Sequence, residues 1–157
     1  MRKKTCCFTG HRHISANQTV EIKSRLRSVI KNLISEGIIY FGAGGALGFD
    51  ILAAQVVLEL KETYPEIKLI LVLPCYNQTA KWKKEDIEIY ENIKSQCDKY
   101  VYTSKEYDGE CMFKRNRHLV DNSGYCICYM NKQNGGTAYT VNYAKQNKVE
   151  VINIATQ

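Results

Sequence analysis

Residues 41–50 read FGAGGALGFD, four glycines and one aspartate between the apolar run GIIY and the helical run ILAAQVVLEL. A turn needs one or two glycines, so Gly42, Gly44, Gly45 and Gly48 exceed a mechanical requirement. Glycine lets backbone N–H groups approach a guest with no Cβ in the way. The helix that follows adds unpaired N–H groups and the positive end of its dipole, and phosphate is the natural guest. Gly44, Gly45, Ala46 and Gly48 are therefore candidate ligand contacts. The stretch lacks the last glycine of G-x-G-x-x-G, because Leu47 stands there, and no Gly-Lys-Ser/Thr follows as in a P-loop. A second pair, Gly135–Gly136 with Thr137, precedes another helical run and supplies a second candidate phosphate seat.

Polar residues gather around these turns. Asp50 reads either as a carboxylate that satisfies the start of its own helix or as an acceptor for ribose hydroxyls. Arg115 and Arg117, at i and i+2 of a helical segment, point in different directions, so one reaches a crevice and the other faces solvent or a partner. A guanidinium suits bidentate phosphate binding, and Asn116 between them is placed to brace loops. Gly10, His11 and Arg12 follow the first apolar run directly. Trp82 and the tyrosines at 76, 90 and 107 are candidates to stack a base, with burial the default for most of them.

The elements that must position these residues alternate along the chain. Apolar runs at 5–10, 38–42, 67–74, 99–104, 125–130 and 149–155 read as strands. Helical periodicity marks the segments from Ser15, at 49–64, 84–98, 111–123 and 136–147; Ser15 and Gln18 have capping-box spacing, and Gly37 suits a helix stop. The near-continuous run IKLILVLP suits a parallel strand covered on both sides. The pattern predicts one α/β domain over 1–157, a Rossmann-like doubly wound sheet, mostly parallel, with strand order 3-2-1-4-5-6. Ligands of such sheets bind beyond the carboxyl ends of the strands, at the switch point, here expected between the first and fourth strands. The unusual loops all follow strands, as that rule requires.

Composition narrows the setting. The net charge of +6 favours anionic partners without naming one, and the basic residues are scattered. The chain shows no signal peptide and no apolar run long enough to span a membrane, and the expectation is a cytoplasmic protein. Seven cysteines, an odd number without a C-x-x-C pair, read as reduced, buried small hydrophobes rather than disulfides or a metal site.

FTGHR, GGALGFD, MFKRNRHLVDNS and GGT, in this order, resemble the YpsA family. That family belongs to the SLOG superfamily, with the DNA-processing protein DprA and the LOG cytokinin-activating phosphoribohydrolases. The resemblance runs from about Thr5 to Ile154. It implies a Rossmann-like fold and a nucleotide-derived ligand of the NAD or ADP-ribose kind, with no cofactor required. GGALGFDILAA is also similar to a Ser-Gly-x-Ala-x-Gly-Ile-Asp stretch of DprA. LOG proteins carry Pro-Gly-Gly-x-Gly-Thr-x-x-Glu, whose glutamate acts with an upstream arginine on an N-glycosidic bond. Counted without a gap from Gly135, the glutamate falls on Asn142, Asn134 replaces the proline, and the arginine corresponds to Arg115. An amide does not exchange a proton as a carboxylate does. The leading expectation is a nucleotide sensor or sequestering module. The alternatives are a nucleoside monophosphate hydrolase and a single-stranded DNA binder, and self-association is left open.

Overall fold

The loop chemistry above requires a scaffold that brings distant turns to one edge, and a parallel sheet does so. In a computed structural model describing residues 2–156, the strands are β1 (Thr5–Gly10), β2 (Tyr40–Ala43), β3 (Lys68–Leu73), β4 (Lys99–Tyr102), β5 (Tyr125–Tyr129) and β6 (Glu150–Asn153). The helices are α1 (Thr19–Ser35), α2 (Phe49–Lys61), α3 (Lys84–Gln96), α4 (Cys111–Asp121) and α5 (Gly136–Gln146). Every pairing is parallel, so all six carboxyl ends point the same way.

The sheet runs β4-β3-β2-β1-β5-β6. The Rossmann-like doubly wound architecture and the neighbours 3-2-1 and 5-6 are as expected; the place of β4 differs from the expected 3-2-1-4-5-6. It pairs with β3 at the outer edge, and β5 takes the place beside β1. The reason is local: the β3–α3–β4 unit closes onto its nearest neighbour, as consecutive strands tend to do. The long loop 103–110 then carries the chain across to α4. The switch point consequently lies between β1 and β5.

Side-chain alternation along the strands divides the core in two. Cys6, Phe8, Phe41, Leu69 and Ile127 face α1 and α2, where Leu26, Ile30, Phe49 and Val57 meet them. Cys7, Val72 and Cys126 face the other way, onto Leu119, Val120 and Ala144 of α4 and α5. α1 contributes Ile22, Leu26, Ile30 and Leu33, the stripe read from its periodicity. It ends at Gly37, whose φ of 99° lets the Gly37 N–H reach Ile34 O and the Ile38 N–H reach Leu33 O, both at 3.0 Å. The expected capping box does not form. A 3-10 turn at Ala16–Gln18 precedes α1, and neither Ser15 nor Gln18 makes a side-chain cap.

All seven cysteines are free thiols and six are buried. Burial pushes the Cys128 thiol up to about 11, the behaviour of a small hydrophobe rather than a nucleophile. Among the described residues, no group of three or more His, Cys, Asp or Glu could hold a metal ion, and no helix is long and apolar enough to cross a membrane.

Candidate functional site

Beyond the ends of β1 and β5 lies a cleft of about 480 Å³. Gly10, His11 and Arg12 form one wall, Gly135, Gly136 and Thr137 another, and Ala46, Asp50, Arg115 and Asn116 also line it. Ten of the thirteen residues singled out in the sequence thus meet at one place. Gly44, Gly45 and Gly48 do not line it.

The β2–α2 turn is packed rather than open. A Cβ at Gly48, whose φ is +81°, would overlap the Arg12 carbonyl and lie 2.6 Å from His11 O. A Cβ at Gly44 would run into the Arg115 guanidinium and come within 2.8 Å of Asp50 Oδ2; one at Gly45 would sit 2.8 Å from Leu73. The first N–H of α2 is also already taken. Phe49 N–H donates to His11 O at 3.1 Å, and Asp50 turns back to accept the Ala46 N–H at 3.3 Å. This first glycine turn is glycine because protein atoms occupy the space.

The β5–α5 turn is the opposite case. A Cβ at Gly135 or Gly136 would meet nothing within 4 Å. No side chain caps α5, whose N-cap is Gly135. Its first N–H groups have no intrahelical acceptor, and they stand at the cleft. The loop before it is anchored from two sides. His11 Nε2 accepts the Asn131 N–H at 3.0 Å, and the Asn153 amide brackets Met130, accepting its N–H at 3.2 Å and donating to its carbonyl at 2.9 Å. Burial, with the nearby Lys132 charge, holds His11 below its ordinary pKa, which keeps Nε2 free to accept. His11 is thereby a positioning residue.

Arg115 is 4% exposed, and its Nε and Nη1 donors are spent inside the protein, while Nη2 meets only Met112 Sδ at 3.6 Å. Nη1 donates to Gly44 O and, at 3.5 Å, to Val72 O; Nε donates to Asn116 Oδ1 at 2.8 Å. It ties α4 to the β2–α2 turn and to β3. Arg117 faces out and donates to Tyr139 Oη at 3.0 Å, so the two arginines do diverge as their spacing requires. The cations exposed at the cleft are Arg12 and Lys132. Lys132 was missed in the sequence; its place three residues before the Gly135–Gly136 pair was the available signal.

Asp50 is 7% exposed and lines the cleft from the first turn of α2. Burial raises its pKa to about 6 against the opposing pull of the Arg115 and Arg12 charges and the Ala46 hydrogen bond. It is the buried titrating carboxylate of the cleft. Asn142 is exposed on α5 and lies off the cleft, and α5 carries no acidic residue at all. Of the aromatic residues, Tyr90 is buried with Trp82 edge-on to it at 5.4 Å, whereas Tyr76 and Tyr107 stand exposed.

A parallel doubly wound sheet with a glycine-rich helix start at its switch point defines a Rossmann-like protein. The YpsA family model, described as the YspA SLOG family, matches residues 6–156, and the chain belongs to that family. It is 33% identical over 128 residues to a UPF0398 protein of Bacillus pumilus, covering 79% of this chain and 68% of that relative. The UPF0398 protein YpsA of Bacillus subtilis is 28% identical over 81% of this chain and 72% of its own length. A relative from Brevibacillus brevis is 31% identical, and the chain spans 63% of its length. Among solved structures, DNA processing protein A of Helicobacter pylori, described for its single-stranded DNA binding mode, superposes with a TM-score of 0.69 at 19% identity over 94% of this chain and 63% of that one. DprA of Streptococcus pneumoniae gives 0.70 at 15% identity, over 95% and 49%.

Proposed function

We propose that the cleft binds a phosphorylated nucleotide or an NAD- or ADP-ribose-derived ligand, and that the protein senses or sequesters it. The observation that carries this reading is the open β5–α5 turn: two glycines with free space at their Cβ positions, at an uncapped helix start. Phosphate on the Gly136 and Thr137 N–H groups would satisfy the helix terminus, with Lys132 and Arg12 supplying charge. Asp50 then serves as an acceptor for ribose hydroxyls. The absence of any carboxylate on α5 favours binding over turnover.

Calorimetry with adenosine 5′-monophosphate (AMP), ADP-ribose, NAD and adenosine tests this. The phosphorylated ligands bind more tightly than adenosine, and Lys132→Ala removes most of the difference. A charge-assisted contact is worth about 1.5–3 kcal/mol, roughly ten- to over a hundred-fold in affinity. Equal binding of AMP and adenosine by the wild type would contradict it.

Asp50 gives a second reading some footing. A buried carboxylate with a pKa about 6 could take a proton from water attacking the anomeric carbon of a nucleoside monophosphate. Release of free base by the wild type, lost in Asp50→Asn, would establish hydrolysis. A single-stranded DNA ligand, suggested by the likeness to DprA, would instead show a steep fall of affinity with salt.

A further inference from the structure

Beside the main cleft, and sharing Arg12 with it, lies a second cavity of about 630 Å³. Its lining includes Leu47, Asn77, Gln78, Trp82 and Tyr107. Tyr107 is 62% exposed, held by its N–H donating to Asn77 Oδ1 at 3.2 Å. Trp82 is the single tryptophan of the chain, fixed edge-on by Tyr90. Trp82, Tyr107 and Leu47 give this cavity apolar surface on which a planar ring can stack, and Arg12, Lys81, Lys83 and Asp86 add charge around it.

Gln78 is 91% buried, and neither Nε2 nor Oε1 has a hydrogen-bond partner. A buried amide without partners is rare and destabilising, and each case asks for an explanation. The side chain belongs to the wall of the cavity. Its Oε1 lies toward the β2–α2 turn, 3.8 Å from where a Gly45 Cβ would stand, and rotation about the outer torsions would bring a donor and an acceptor, side by side, to a guest in the cavity.

We infer that this second cavity is a nucleobase subsite, in which Gln78 reads the donor–acceptor edge of an adenine stacked by Trp82 and Tyr107. The inference rests on the nucleotide reading above and specifies its base. A carboxamide pairs in bidentate fashion with adenine, accepting from the N6 amino group and donating to N7. An oxygen at that position offers two acceptors, and one amide hydrogen bond is lost. Arg12, at the boundary of both cavities, stands between the base and the phosphate seat.

The test uses Gln78→Met, which keeps the side-chain length and removes the orphaned amide, so the variant should melt no lower than the wild type. Trp82 fluorescence reports the cavity directly. Wild-type protein should bind AMP at least tenfold more tightly than inosine 5′-monophosphate, each quenching Trp82, and Gln78→Met should bind the two alike. Adenosine and inosine, tested in parallel, should show the same preference at higher concentration. That preference would persist if the phosphate seat were wrong, whereas loss of the base subsite would leave phosphate-dependent binding without base preference. Wild-type protein that binds AMP and inosine 5′-monophosphate equally, or a preference that survives in Gln78→Met, overturns the assignment.

Discussion

The turns after β2 and β5 look alike as sequence and differ in what surrounds them. Gly44 and Gly48 press against Arg115 and the Arg12 carbonyl, while Gly135 and Gly136 have nothing within 4 Å of where a Cβ would stand. The first turn, with Arg115 and Asp50 beneath it, is a packed hub joining β1, β2, β3 and α4. Neither helix start carries a side-chain cap, but the first N–H of α2 is taken by His11 O, whereas the α5 start opens onto the cleft. Glycine content alone therefore does not distinguish the two turns; the space beside the glycines does.

The comparison is broken most forcefully at Gly48. Gly48→Val sets a β-branched side chain at φ +81° against backbone atoms that have little room to yield, and should cost more than about 4 kcal/mol or prevent folding. Urea denaturation checks this; a near-wild-type midpoint would mean the β2–α2 turn is not packed as described. Arg115→Met comes next, with a loss of about 3–5 kcal/mol, because it strands the Gly44 carbonyl and leaves the Asp50 carboxylate without its buried cation. If Arg115 were instead a ligand contact only, the midpoint would stay and affinity alone would fall.

Asp50 gives the hub a pH signature. Its folded pKa of about 6 lies above the ordinary 3.8, so the folded chain holds this proton more tightly than the unfolded one. Its contribution is full below about 4 and is lost as pH rises through about 6, by roughly 2–3 kcal/mol. Asp50→Asn removes that slope, and the difference between the two proteins' denaturation midpoints across this window measures it. The smallest effect on stability belongs to the open turn. Gly136→Ala should leave stability unchanged or raise it by up to about 1 kcal/mol, while weakening phosphorylated ligands. A destabilised Gly136→Ala would erase the distinction between the turns.

What the sequence made legible follows the same division. Periodicity found all six strands and five helices, since buried stripes such as Ile22, Leu26, Ile30 and Leu33 are one-dimensional signals. The loops after strands were also identifiable, and ten candidate residues share the cleft. The place of β4 was not, because nothing local to a strand says which edge it joins. Arg115 lines the cleft as expected, but residue type could not show that it also binds the Gly44 and Val72 carbonyls. Gln78 carried no motif; only three-dimensional burial exposes an amide without partners.

The central claim is that phosphate seats on the backbone of the β5–α5 turn. It is tested most directly by following the backbone amide resonances of isotope-labelled protein while AMP and adenosine are added separately. The account predicts that AMP, and not adenosine, shifts the Gly136 and Thr137 amides strongly, while the Gly44 and Gly45 amides move little. Phosphate-dependent shifts centred on Gly44 and Gly45, with Gly136 and Thr137 unmoved, would contradict it.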